Sequence, residues 1–286
     1  MRVLLLGASG FIGRHIAAAL SDAGHAVVCA SRNAQGQGDV QVDYVRDTAA
    51  AVWLPRLKGI DVVVNAVGVL RDTIKTPMQA IHADAPKALF EACVQSNVQR
   101  VIQISALGAG GRDDLAYMRT KGEADAHLQS LPLNACIFRP SVVYGHDGES
   151  ATMFRRLAAL PVLVVPGRGE AMLQPVHIDD LCAAVVRAVA GDVDQGIINA
   201  VGPEAMTYRD MIACYRAQRH SRAAWVIPMP WSLMEGVAKV AQHVPGSPLE
   251  PDTLTMLRAG SVADALPFER LVGRALRHPN TFLMSE

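Results

Sequence analysis

The fold turns on Val3-Leu4-Leu5-Leu6-Gly7-Ala8-Ser9-Gly10-Phe11-Ile12-Gly13. Residues 3–6 are apolar without alternation, the pattern of a parallel strand buried on both faces. Glycines at 7, 10 and 13 then open a helical pattern with Ile12, Ile16, Ala19 and Leu20 on one face. Ala26-Val27-Val28-Cys29-Ala30 is a second apolar strand, ending in Ser31-Arg32. A glycine turn alone is a weak signal. Between a buried strand and a helix it predicts a dinucleotide site, because glycine permits the tight turn and lets backbone approach a pyrophosphate. The helix N-terminus adds free N–H groups and a positive dipole end. Gly7, Ser9, Gly10, Phe11, Ile12, Gly13, Ser31 and Arg32 are therefore expected to bind cofactor.

The rest of the chain repeats that rhythm. Short strands are expected at Val40–Asp43, Val62–Ala66, Val101–Ser105 and Ala135–Pro140, with helices at about 48–57, 77–96 and 114–131. Alternation of this kind gives an α/β fold with a doubly wound parallel Rossmann sheet. Right-handed crossovers then place every strand's carboxyl end on one edge, where a ligand binds. After Gly145 the rhythm weakens. A helix is expected at 154–160, short strands around 167–174, a helix from His177 and a late strand at 197–201. Thr207 with Asp210 reads as a helix cap, 227–231 as extended chain, and 231–244 as an amphipathic helix. The expected domains are 1–150, joined by elements from about 174–200, and a smaller substrate or partner portion over 151–286.

Composition narrows the function. The 286 residues are 50% hydrophobic and 19% charged, with 27 basic against 27 acidic side chains. That makes a globular chain with no broad nucleic-acid surface. Cysteines at 29, 93, 136, 182 and 214 are odd in number and lack a C-x-x-C pair. They read as reduced thiols in a cytoplasmic protein, with a membrane-peripheral location as the alternative. A strand starting at residue 3 leaves no room for a signal peptide, and no apolar run reaches the roughly 20 residues that span a bilayer. His177 with Asp179 and Asp180 reads as a helix start; no metal is expected.

Two positions carry the chemistry. At the end of the second strand an NAD site offers an acidic side chain to the ribose. Residues 29–33 contain none, whereas Arg32 can grip a phosphate. NADP(H) is therefore expected, with NAD(H) as the alternative. Tyr117 and Lys121 lie four apart on one helix, so phenol and ammonium share a face. A free phenol has a pKa near ~10, and a nearby ammonium, helped by a positive nicotinamide ring, is expected to lower it for proton exchange. Ser105, at the active edge of the sheet, is expected to orient a substrate carbonyl.

These pieces resemble the short-chain dehydrogenase/reductase superfamily, in its extended and atypical NAD-dependent epimerase/dehydratase branch. The matching segments are GASGFIG at 7–13, NAVG at 65–68, ISALGA at 104–109, YMRTK at 117–121, FRPSVVYG at 138–145 and QPVHIDDL at 174–181. Three of them, ISALGA, FRPSVVYG and QPVHIDDL, look most like the family of the NADPH-binding 39 kDa subunit of respiratory complex I and its free-standing bacterial relatives. The resemblance implies that Asp43 contacts adenine and that Ala66, Val67 and Gly68 line the adenosine side. It also implies that Pro140, Ser141, Val142 and Val143 face the nicotinamide and that Lys121 holds its ribose. Catalysis would fall to Ser105, Tyr117 and Lys121.

Departures from the pattern weigh against a sugar-nucleotide dehydratase. The Ser/Thr-rich stretch is replaced by Ser105-Ala106-Leu107-Gly108, and the Asp-Glu pair that eliminates water is missing. What remains is an NADP(H)-dependent oxidoreductase of a carbonyl or alcohol. The alternatives are a non-catalytic NADPH-holding protein of a membrane-associated complex and, more weakly, a sugar-nucleotide epimerase. The 231–244 helix is expected to wall a substrate pocket, with a membrane or partner contact as its alternative. Homodimer pairing follows only by analogy with the fold.

Overall fold

Strand β1 (Arg2–Leu6) stands at the middle of the first unit, and Val3, Leu4, Leu5 and Leu6 are fully buried. In this computed structural model, which describes residues 1–34, 38–219, 222–243 and 249–285, a seven-stranded sheet builds outward from it. β2 (Ala26–Ser31) and β4 (Val62–Asn65) pair with β1 in parallel on its two sides. Beyond β2 lies β3 (Val40–Gln41); beyond β4 lie β5 (Arg100–Ile104), β6 (Ala135–Pro140) and β11 (Gly196–Ala200). Every pairing is parallel. Each strand must therefore be reached by a crossover, and the chain supplies α1 (Phe11–Asp22), α3 (Ala85–Gln95), α4 (Ala116–Ser130) and α6 (Ile178–Ala190). This is the expected doubly wound α/β sheet. Strand order reverses beside β1, so a crevice opens at the carboxyl ends of β1 and its neighbours.

Two predicted helices are not uniform, and proline accounts for both. Over 48–57 only Ala50–Trp53 is α-helical (α2), and Leu54–Leu57 tightens to a 3-10 turn. Over 77–96 the chain first forms a wide π-turn at Gln79–Asp84, and α3 follows. Pro55 and Pro86 have no N–H to return to the preceding turn, so regular α pairing lapses around them.

The chain divides into two compact units. One comprises Met1–Pro140, Asp179–Ala200 and Arg270–Gly273, and the other Ser141–Ile178, Val201–Glu269 and Arg274–Glu286. The second unit carries β7 (Val143–Tyr144) paired with β10 (Val176–His177), β9 (Met172–Leu173) paired with β12 (Met206–Thr207), and β8 (Val162–Pro166) paired with β13 (Trp225–Met229). Its helices are α5 (Glu149–Ala159), α7 (Tyr208–Gln218), α8 (Trp231–Ala241) and α9 (Pro251–Ala259). Tyr144, Phe154, Tyr215 and Phe282 form its aromatic core, with the Tyr144 and Phe282 rings stacked at 4.7 Å. The Thr207 hydroxyl accepts from the Asp210 amide at 3.0 Å, which caps α7 as its sequence suggests. The expected helix end at Val244 lies outside the described residues. Among those described, no helix is long and apolar enough to cross a membrane.

Helix α1 lies against the end of β1 so closely that a Cβ on Gly13 would stand 2.0 Å from the Gly7 carbonyl oxygen. Gly13→Ala is therefore expected to lower unfolding stability by about 1–3 kcal/mol through a forced backbone shift, read as a lower urea midpoint.

Candidate active site

The glycine turn is built for close approach. Gly7 has φ +79°, the left-handed region, and a Cβ there would meet the Ala66 carbonyl carbon at 2.9 Å. The Gly10 amide closes the turn on the Gly7 carbonyl at 2.9 Å. No side chain caps α1 at Gly10, so its first amides keep their donors toward the crevice. Ser9 is exposed, and Phe11 and Ile12 are half-buried beside it. Arg14 lies 5.7 Å over the Phe11 ring.

The far end of the crevice is set by β2 and β3. Register pairs Ser31 with Gln41, and the Gln41 side chain donates to the Arg32 carbonyl at 3.3 Å. The Arg32 backbone is thus tied down while its side chain is exposed. Asp43 follows on a turn fixed by Asp47, whose carboxylate accepts the Asp43 amide at 2.7 Å and pairs with Arg56 at 2.6 Å. One Asp43 oxygen accepts the Val45 amide at 3.1 Å.

After β4 the chain is held by buried amides. Asn65 accepts from the Tyr44 hydroxyl and donates to Gln103, both at 2.8 Å, and it accepts the Val67 amide at 3.2 Å. This fixes the path of Ala66, Val67 and Gly68. Helix α4 then drives Lys121 beneath it. The Lys121 ammonium donates to the Val67 carbonyl at 3.2 Å and the Ile104 carbonyl at 3.1 Å, and a Cβ on Gly68 would stand 3.3 Å from it. Two of its three N–H donors are used by the chain. Burial lowers Lys121 to about 8, with the Asp125 charge opposing.

His82, on the π-turn, is the residue that sequence reasoning missed. Its Nε2 accepts the Val69 amide at 2.9 Å, so that nitrogen carries no proton. Nδ1 lies 3.1 Å from the Thr120 hydroxyl, which itself donates to the Ala116 carbonyl at 2.7 Å. The only consistent pattern has a neutral imidazole with its proton on Nδ1, donating to Thr120. One ring therefore joins the Gly68 loop to α4. Burial, helped by the Lys121 charge, lowers His82 to about 2. The Tyr117 ring packs edge-on against it at 5.4 Å. Neither Thr120 nor His82 carries a signal in the sequence by itself, and the only local mark is Pro86, whose missing N–H accompanies the wide turn.

Two expectations meet a different environment. Lys121 was expected to lower the Tyr117 phenol, but its ammonium is spent on two carbonyls, and burial pushes Tyr117 up to about 12. Ser105 lies just past β5, and its hydroxyl donates to Asp125 at 2.7 Å. Arg139 binds the same Asp125 oxygen from Nε at 2.9 Å. The second Asp125 oxygen is buried with no partner among the described residues, and burial raises that carboxyl despite Ser105 and Arg139. Pro140 ends β6, and its carbonyl accepts the Leu107 amide at 2.9 Å. Ser141, Val142 and Val143 belong to the second unit, where Ser141 donates to the Ser261 carbonyl at 3.0 Å and Val142 accepts the Val176 amide at 3.0 Å.

A parallel sheet with a glycine cradle at its reversal point defines a nucleotide-binding protein of the Rossmann type. The model of the NAD dependent epimerase/dehydratase family matches residues 3–200, and the chain belongs to that family. It is 29% identical over 205 residues to the Arabidopsis thaliana mitochondrial NADH dehydrogenase (ubiquinone) 1 alpha subcomplex subunit 9, covering 66% of this chain and 50% of that one. It is 27% identical over 190 residues to the ceramide reductase of Caulobacter vibrioides, covering 64% of this chain and 59% of that one. The chain thus spans half to three-fifths of the length of these relatives. The crystal structure of human epimerase family protein SDR39U1 (isoform 2) with NADPH has the same fold, with a TM-score of 0.74 at 20% identity over 98% of this chain and 96% of that one.

The His82 environment sets a pH dependence. A folded value of about 2 against 6.5 unfolded means that the unfolded chain binds the extra proton between those values, so stability falls as pH drops below 6.5. From pH 6.5 to 5 this amounts to up to about 2 kcal/mol. His82→Gln, which can still accept from Val69 and donate to Thr120, is expected to remove that part of the slope in urea unfolding at pH 7 and pH 5.

Proposed function

We propose that the chain is an NADP(H)-dependent oxidoreductase of the short-chain dehydrogenase/reductase type, acting on a carbonyl or alcohol. The observation that carries this reading is the buried Lys121 ammonium beside Gly68, on the helix that also bears Tyr117. One N–H of Lys121 remains for a ribose hydroxyl. The amides after Gly10 suit a pyrophosphate, Asp43 an adenine and Ala66 the adenosine side. Pro140 to Val143 suit the nicotinamide. The second unit then serves as substrate or partner portion. NADP(H) is favoured over NAD(H) because Arg32 is exposed at the end of β2 and no carboxylate lies among residues 29–33. The human protein of the same fold that was solved with NADPH is in keeping with that preference.

Bound NADPH would supply the hydride; the chain's own residues handle the proton. Tyr117, at about 12, is protonated at neutral pH and therefore suits the acid role, giving its proton to the developing alkoxide of a reduced carbonyl. Lys121, at about 8, exchanges protons near neutral pH, while two of its N–H groups stay on the Val67 and Ile104 carbonyls. Ser105 offers lone pairs while its proton rests on Asp125, which suits a carbinol hydroxyl. Orienting a carbonyl requires that proton to turn from Asp125.

A second reading has a specific observation behind it. The plant relative bears the name of a mitochondrial NADH dehydrogenase subunit, and a phenol at about 12 suits a site that holds cofactor without turnover. On that reading NADPH copurifies and is never oxidised. An epimerase is disfavoured by Arg32.

One measurement separates these readings, and a second tests the cofactor preference they share. Tyr117→Phe is expected to abolish reduction of any carbonyl that the wild type turns over in a substrate panel, with NADPH affinity nearly unchanged by fluorescence titration. A wild type that binds NADPH but reduces nothing supports the holding role. Arg32→Ser is expected to weaken NADPH by roughly 1.5–3 kcal/mol, about 10- to 150-fold, while leaving NADH affinity unchanged.

A further inference from the structure

β8 and β13 form a two-stranded parallel sheet in the second unit, and only one of its faces reaches the core. Leu163 and Val165 are buried, and Val226 packs with them. The alternate residues face solvent. Register sets Trp225 beside Val162 and Ile227 beside Val164, at 81%, 45%, 49% and 41% exposure respectively. Leu160, leading into β8, is 46% exposed. Exposed apolar side chains are ordinary when scattered, but four gathered by strand register, with Leu160 leading into them, make a contiguous face.

Charge at one end of this face says what covers it. Both strands begin at the same end, and buried Arg216 ties their starts together. It donates to the Ala158 carbonyl at 2.6 Å, to the Leu160 carbonyl and to the Arg222 carbonyl. Three further arginines lie within a few residues of these tied segments, each exposed: Arg156 near the end of α5, Arg219 just after α7, and Arg222 before β13. Among the described residues no acidic side chain pairs with any of them. Segments 150–169 and 211–234 contain no Asp or Glu, although the whole chain is neutral. An apolar face with a tryptophan and a cationic rim matches the boundary between lipid headgroups and acyl chains.

We propose that the face of Val162, Val164, Trp225 and Ile227 seats the chain on an anionic lipid bilayer surface, with Arg156, Arg219 and Arg222 meeting lipid phosphates. Trp225 and Ile227 enter the interface, and the protein remains peripheral. This is independent of whether Tyr117 turns substrate over.

The test is co-sedimentation of the full chain with vesicles of phosphatidylcholine alone and of phosphatidylcholine mixed with phosphatidylglycerol, with tryptophan emission read in parallel. The wild type is expected to sediment with the mixed vesicles at low salt, to be released by high salt, and to shift its emission to the blue. Arg156→Ser/Arg219→Ser/Arg222→Ser is expected to weaken binding to mixed vesicles roughly a hundredfold. Trp225→Ser/Ile227→Ser is expected to abolish binding and the blue shift. All substituted side chains are exposed, so an unchanged unfolding midpoint confirms that each variant is folded. Wild type left in the supernatant with mixed vesicles at low salt overturns the proposal, as does a Trp225→Ser/Ile227→Ser variant that binds like wild type. A lipid-free wild-type dimer that this double variant converts to monomer also overturns it, because the face would then belong to a second copy.

Discussion

The first unit depends on the near-contact of α1 with the end of β1. A helix whose position 13 has no room for a methyl group sits with its first amides directly over the strand's carboxyl edge. That proximity makes the edge a site, because uncapped N–H groups and the helix dipole converge where the sheet order reverses. Gly7 is held from the other side by Ala66, so the β1 turn and the loop after β4 constrain each other. Mutual steric exclusion of this kind leaves the turn little freedom.

The opposite wall obeys a different economy. Lys121 is a charge with almost no water around it, and it persists there because two backbone carbonyls receive it. His82 takes the complementary part, a base kept neutral so that it can accept from Val69 and donate toward Thr120. These two buried groups, one charged and one neutral, bind the Gly68 loop to α4 from both polarities. Tyr117 inherits its position from them through the His82 ring. The loop that would meet a nucleotide and the helix bearing the candidate acid are therefore tied to each other.

Much of this was legible in residue order. The apolar run 3–6 and the glycines at 7, 10 and 13 announced β1 and α1, and β6 was read to the residue at 135–140. The cap at Thr207 was visible because its chemistry is local. Less visible were the wide turn at Gln79–Asp84 and the tightened one at Leu54–Leu57, since apolar periodicity reports which face is buried, not which carbonyl each amide finds.

The sequence by itself determined the alternation of strands and helices, the glycine turn, the exposed-end position of Arg32, and the shared helix face of Tyr117 and Lys121. Only the tertiary structure decided where the protons and charges go. Lys121 meets carbonyls 54 and 17 residues away, His82 meets a hydroxyl 38 residues away, and Ser105 meets a carboxylate 20 residues away. Those partners are set by strand register and helix docking. Burial there outweighs the i,i+4 proximity that alone would have lowered the Tyr117 phenol.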